Sequence, residues 1–140
     1  TLAPRQIHLD FHTSEAIPDI AANFDPRTFA ETARKAEASS ITVFARCRMA
    51  ILSIKTFPEL IHPNLKNHNL LLEQVRALHD AGIKAPVYIT VQWDYHSAQT
   101  HPEWLIRKPG GAHEGVPFTE AGFRQSLCVN TGYYNFFAAH

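Results

Sequence analysis

Twice in this chain a helix-period apolar stripe gives way to a β-branched run after only two residues, at Ser39-Ser40 and at Gly82-Ile83. A helix that feeds a strand so directly is half of a strand-helix-strand crossover, and repeating the unit makes neighbouring strands parallel. The later run is Pro86-Val87-Tyr88-Ile89-Thr90-Val91-Gln92-Trp93-Asp94. Its alternation predicts Val87, Ile89 and Val91 under helices, with Tyr88, Thr90 and Gln92 on the other face. It leads to an aromatic and a carboxylate.

The same order holds upstream. In Gln6-Ile7-His8-Leu9-Asp10-Phe11-His12, apolar Ile7, Leu9 and Phe11 alternate with polar His8, Asp10 and His12, which predicts a first strand. Asp25-Pro26 marks a helix start, a capping carboxylate followed by Pro at the first helical position. Phe29, Ala33 and Ala36 then recur as one stripe, with the helix ending near Ala38. Ile41-Thr42-Val43-Phe44-Ala45-Arg46 supplies the second strand. Asn67 or Asn69 is placed to cap a second helix whose face is Leu71, Val75 and Leu78, and Gly82 to end it in a left-handed turn. After Asp94 comes an excursion containing His101-Pro102-Glu103-Trp104 and Pro109-Gly110-Gly111. Ser126-Leu127-Cys128-Val129 is read as a fourth strand, and a further helix begins at Tyr133.

Helix-to-strand connections are short, whereas strand-to-helix connections are long and hold the His, Asp, Trp and Arg residues. In parallel α/β folds the sites lie at the carboxyl ends of the strands, where those long loops gather. About four βα units match the first half of a (β/α)8 TIM barrel, which needs ~250 residues. Residues 1–140, which begin at Thr1 without Met, are therefore read as the amino-terminal part of a single catalytic domain. A half-barrel has two open sheet edges, so a homo-oligomer is an expected partner state. A small, complete doubly wound sheet is the competing architecture.

Composition removes several functions. Lys and Arg number 13, as do Asp and Glu, so no net field draws the chain to a nucleic-acid backbone or an anionic membrane. No apolar run reaches the ~20 residues of a membrane span, and the amino end has no signal-peptide pattern. Cys47 and Cys128 lack the close pairing of zinc or redox motifs. They are read as small buried hydrophobes in a reduced, cytoplasmic protein. Neither a glycine-rich phosphate loop nor a nucleophile elbow occurs.

His8, Asp10 and His12 are one strand face, ~7 Å apart per two residues at a rise of ~3.3 Å. Such a set can hydrogen-bond a polyhydroxylated substrate, hold a divalent metal, or form a satisfied polar layer. Trp93 and Asp94 follow the third strand. They can stack on a sugar face and accept its hydroxyls, or anchor a loop and cap a helix. Arg46 and Arg48 are read first as ion-pair partners of a neighbouring strand's acid and second as ligands. Trp104 is expected to pack its loop down, and Asn130 to cap the following helix.

Several of these stretches resemble the amino-terminal half of a barrel glycoside hydrolase. They are Arg5-Gln6-Ile7-His8-Leu9-Asp10-Phe11-His12-Thr13-Ser14, Thr42-Val43-Phe44-Ala45-Arg46-Cys47, Ile61-His62-Pro63-Asn64-Leu65, residues 87–94, His101-Pro102-Glu103-Trp104 and Leu127-Cys128-Val129-Asn130. The chain resembles the α-L-fucosidase-like group, glycoside hydrolase family 151 and its relatives, and more distantly family 29. The resemblance implies a (β/α)8 domain that hydrolyses a glycosidic bond through two carboxylates about 5–5.5 Å apart, with retention. It implies a carbohydrate substrate and no metal or other cofactor. It also puts both catalytic carboxylates beyond His140, leaving His8, Asp10, His12, Trp93 and Asp94 as the substrate-binding set. Where the relatives carry His-His-Gly after the strand-two cysteine, this chain has Arg48-Met49-Ala50-Ile51-Leu52, a departure that bears on sugar specificity.

Two other functions compete. One is a truncated, non-catalytic chain that binds carbohydrate or assembles with another chain. The other is a metal-dependent barrel hydrolase built on His8, Asp10 and His12.

Overall fold

In the computed structural model, which describes residues 4–47, 60–116 and 125–139, three parallel strands lie in the order β1 (Gln6–His8), β2 (Ser40–Arg46), β3 (Val87–Ile89). Helix α1 (Pro26–Lys35) joins the first two strands and α2 (Leu70–Asp80) the second and third. Gln6 to His8 sit opposite Ser40 to Thr42, while Val43 and Phe44 pair with Val87 and Tyr88. Between Phe44 and Arg46 the register slips by one residue, so that Arg46 pairs with Ile89 and Ala45 is the extra residue. A bulge of this kind bends its strand and re-aims the side chain beyond it.

The local signals produce the expected ends. The Asp25 side chain accepts a hydrogen bond from the Thr28 amide at 2.6 Å, with Pro26 at the first helical position. Gly82 takes φ +74, a conformation that costs other residues a steric clash, and the chain passes directly to Ile83. At α2 the N-cap is Asn69, but its side chain makes no capping bond. Asn67 instead accepts from the Asn69 amide at 2.9 Å and donates to Glu73 at 2.7 Å.

The main core lies between sheet and helices. Ala33, Ala38, Ile41, Val43, Leu78 and Ile83 are buried together, with Ile7, Phe29, Leu71 and Val75 packed around them. The alternation of β1 and β2 therefore decides the two faces: Ile7, Ile41 and Val43 meet the helices, while His8 and Phe44 face the other way.

Four expectations are corrected. The first strand ends at His8 rather than His12, and the third spans Val87–Ile89 alone. Val87 and Val91 are about two-fifths exposed, at 45% and 41%, rather than covered by helices, because β3 is the edge of the described sheet. Ser126-Leu127-Cys128-Val129 forms no fourth strand among the described residues. Leu127 instead makes an isolated antiparallel bridge to Leu105, while its amide donates to the Gln92 carbonyl at 2.9 Å. A short apolar run reads alike whether it joins a ladder or closes a loop.

The loops after the strands are themselves tied. Ile20 bridges Leu65 in a parallel sense, Asn64 donates to the carbonyls of Glu15 and Ile17, and His62 is buried between them. His62 Nδ1 accepts from the Asn64 amide at 3.1 Å, so its proton sits on Nε2, which donates to the Ser14 carbonyl at 2.9 Å. After β3, helix α3 (Tyr95–Thr100) and a 3-10 turn (Pro102–Trp104) pack with helix α4 (Tyr133–Ala138) in a second cluster of Ala98, Leu105, Leu127 and Tyr133. Trp104 stacks on His101 with ring centroids 3.7 Å apart and packs against that cluster, the loop-anchoring role its position suggested.

Candidate functional site

At the strand ends, on the face away from α1 and α2, four rings gather. Phe44 and Tyr88, register partners on β2 and β3, stack with centroids 4.3 Å apart. His8 meets Phe44 edge-on at 5.3 Å and Tyr88 at 5.9 Å, and His12 meets the same two rings at 5.4 and 6.0 Å. The chain turns after β1, and that turn returns His12 to the ring pair that His8 already touches. Both imidazoles remain exposed above a floor of buried Phe44 and half-buried Tyr88.

Asp10 organises the turn. Its carboxylate accepts from the His12 amide at 2.9 Å and lies 2.5 Å from His12 Nδ1. The backbone hydrogen bond, and after it the ring contact, hold the Asp10 carboxyl below the usual aspartate range. Because the folded value is depressed, this contact is intact above the ordinary aspartate pKa and is lost as pH falls through the lowered one. In a carbon-13 titration Asp10 should therefore protonate below a free aspartate, and His12→Ala should return it only part of the way, since the amide bond survives. An unshifted Asp10 in the unmutated chain would contradict this geometry.

Trp93 follows β3 and is 40% exposed, with its indole Nε1 donating to Ser126 Oγ at 3.2 Å. Gln92 Nε2 donates to the same hydroxyl at 3.1 Å. Asp94 is a different matter. It was expected with Trp93 in the sugar-contact set, yet it is 5% exposed and forms a buried ion pair with Arg46 through Oδ2. Its carboxylate also caps α3, accepting from the Ser97 amide at 3.2 Å and from the Ser97 hydroxyl. A carboxylate so engaged has little left for a ligand, so the anchoring role of Asp94 is the one its geometry supports.

Arg46 is 1% exposed, and its guanidinium carbon lies 5.5 Å from the Phe136 ring centre and 6.0 Å from that of Tyr133. Burial pushes Arg46 below its ordinary pKa while the Tyr133 hydroxyl opposes the shift. Burial also raises the Tyr133 phenol, which donates to the Val91 carbonyl at 2.6 Å. At neutral pH the pair is a cation and a neutral phenol. The Arg46 partner is thus the acid after the neighbouring strand, as expected. Arg48 and the Arg48-Met49-Ala50-Ile51-Leu52 departure lie outside the described residues. Asn130 caps nothing; Thr131 Oγ1 accepts from the Tyr133 amide at 3.2 Å and donates to the Cys128 carbonyl.

Among the described residues no three His, Cys, Asp or Glu side chains converge as a metal-ligand set. His8 and His12 are turned against the aromatic floor and Asp10 is taken by His12, so His8, Asp10 and His12 do not present a shared coordination point. Sequence reasoning missed Phe44 and Tyr88 as the floor of the site. The signal was available in their inward alternation next to His8, but not their pairing, which depends on register.

The described residues thus form a parallel sheet with α1 and α2 packed on one face and His8, Asp10, His12, Phe44 and Tyr88 gathered on the other, at the strand ends. The family model described as hypothetical glycosyl hydrolase 6 matches residues 25–140, and the chain belongs to that family. Among solved structures it is similar to α-L-fucosidase isoenzyme 2 from Paenibacillus thiaminolyticus, with a TM-score of 0.84 and 38% identity over 97% of this chain. The chain spans 20% of the length of that fucosidase. A hypothetical protein from Ruminiclostridium thermocellum shares the fold at a TM-score of 0.53 and 12% identity, covering 74% of this chain and 53% of its own. No curated protein matches. No helix among the described residues is long and apolar enough to cross a membrane.

Proposed function

We propose that this chain is the amino-terminal part of a (β/α)8 glycoside hydrolase of α-L-fucosidase type, in which His8, Asp10, His12 and Trp93 line the sugar subsite. The observation that carries the reading is the site itself. Exposed imidazoles and a carboxylate stand over the Phe44–Tyr88 pair, and a part-exposed indole follows β3, the strand that carries Tyr88. Polar groups that exchange hydrogen bonds with hydroxyls, set beside an aromatic face that covers C–H surface, are the chemistry a pyranose requires. The glycosyl hydrolase family and the likeness to a fucosidase over nearly the whole chain support the same reading. The resemblance to fucosidase-like glycoside hydrolases implies that the catalytic pair of carboxylates lies beyond residue 140, and Asp94 is committed to Arg46.

Titration of the chain with methyl α-L-fucopyranoside tests this. Trp93→Ala should weaken binding several-fold, on the order of 0.5–1.5 kcal/mol for a lost aromatic contact. Asp10→Ala should act in the same direction by freeing His12. Affinities equal to that of the parent chain in both variants would remove the site assignment.

A further inference from the structure

The proposed sugar platform depends on where the Trp93 indole is held, and its supports are not themselves at the mouth. The Trp93 carbonyl accepts from Thr90 Oγ1 at 3.2 Å, and the ring edge is tied to Ser126 Oγ. The next residue, Asp94, is clamped by Arg46 on one side and by the start of α3 on the other. Arg46 reaches Asp94 from a strand whose register slips immediately before it, so the bulge serves to aim a buried cation at this carboxylate. Arg46 Nη1 is buried with no hydrogen-bond partner among the described residues, and the guanidinium lies among the rings of Phe136 and Tyr133. A buried cation with an unfilled donor is costly. Such a cost at the end of a strand, one residue from an exposed indole, is that of a positioning device rather than of simple packing.

We infer that Arg46 and Asp94 are positioning residues that fix Trp93 as a sugar-stacking platform, the ion pair holding the residue 93–94 backbone while Ser126 holds the ring edge. The inference rests on the proposed sugar subsite for its consequence, but its geometric half stands without a ligand. Loss of the pair frees the backbone that carries the indole, and Trp93 then samples orientations in which its face no longer covers the mouth.

The test follows the Trp93 indole Nε1–H by nitrogen-15 NMR in the full chain, first without ligand. The indole should be as ordered as the backbone in the parent chain. In Asp94→Asn, which can keep the Ser97 cap but drops the charge, it should become mobile and exchange faster with solvent. Should Asp94→Asn fail to fold, Arg46→Lys takes the same measurement, because it keeps the charge and loses the planar guanidinium that reaches Asp94 Oδ2. An indole that stays ordered in a folded variant overturns the inference. With methyl α-L-fucopyranoside added, the variant should bind about several-fold more weakly, at most the loss seen for Trp93→Ala. Absence of binding by the parent chain would count against the sugar reading alone, leaving the indole measurement to decide the positioning role.

Discussion

Replacing Arg46 by Met is expected to unfold the chain at markedly lower temperature, with a loss of about 3–5 kcal/mol of stability. Arg46 and Asp94 have side chains 2% and 7% exposed, so neither charge can turn to water for solvation. With the cation gone, the Asp94 carboxylate keeps the Ser97 amide and hydroxyl but faces a low-dielectric pocket with no counter-charge. The guanidinium also fills space beside Phe136 and Tyr133, which Met occupies only in part. The pair as a whole is worth much less than this figure, because its mutual attraction mainly offsets the desolvation of both groups. The double variant Arg46→Met with Asp94→Leu should therefore recover most of the stability, while abolishing the order of Trp93. Denaturant titration of the two variants separates the effects. A single variant as stable as the parent would show that Asp94 is solvated in solution.

The second large effect is expected at Leu78. This side chain is fully buried, at 0% exposure, and lies where α2 crosses the sheet against Ile41, Val43, Ile83 and Ala33. Leu78→Ala removes three carbons from the layer that joins α1 and α2 to the strands, and should cost about 2–5 kcal/mol. The upper part of that range applies if the neighbours cannot close the void. Val43 is held by its strand, and the turn at Gly82 fixes Ile83, whose amide donates to the Leu78 carbonyl at 2.8 Å. A midpoint shift in thermal unfolding measures the loss, and a shift no larger than that of a surface Leu72→Ala control would mean the core is more plastic than its packing suggests.

Much of this was legible before any coordinates. Asp25-Pro26 announces α1 because a carboxylate cap and a proline with fixed φ act within one turn. Gly82 announces the end of α2 for a similarly local reason. The Arg46–Asp94 pair was legible in kind, since a cation at one strand end and an acid after the next meet when those strands are adjacent and parallel. The motifs that resemble fucosidase-like glycoside hydrolases agree with the family and with the structural likeness.

Other features had no local signature. The alternation of residues 86–94 is uninterrupted, but β3 stops at Ile89 because pairing stops there, and Thr90 turns to serve Trp93. The run at Ser126 has the composition of a strand and instead closes onto Leu105 and Gln92. Asp94 and Trp93 look equally available in the sequence, yet one is buried in an ion pair and the other is part-exposed at the mouth.

The sequence by itself determined the two crossover helices and the three strands they join, that those strands run parallel, and that the polar chemistry gathers at one end of them. These follow from periodicity, caps and connection lengths, all of which act over a few residues. Only the tertiary structure decided that His8 and His12 share one aromatic floor and that the bulge before Arg46 delivers it to Asp94. It also decided that Trp93, rather than Asp94, faces outward. Each of these depends on strand register and on burial contributed by residues far apart in the chain, which no local pattern encodes.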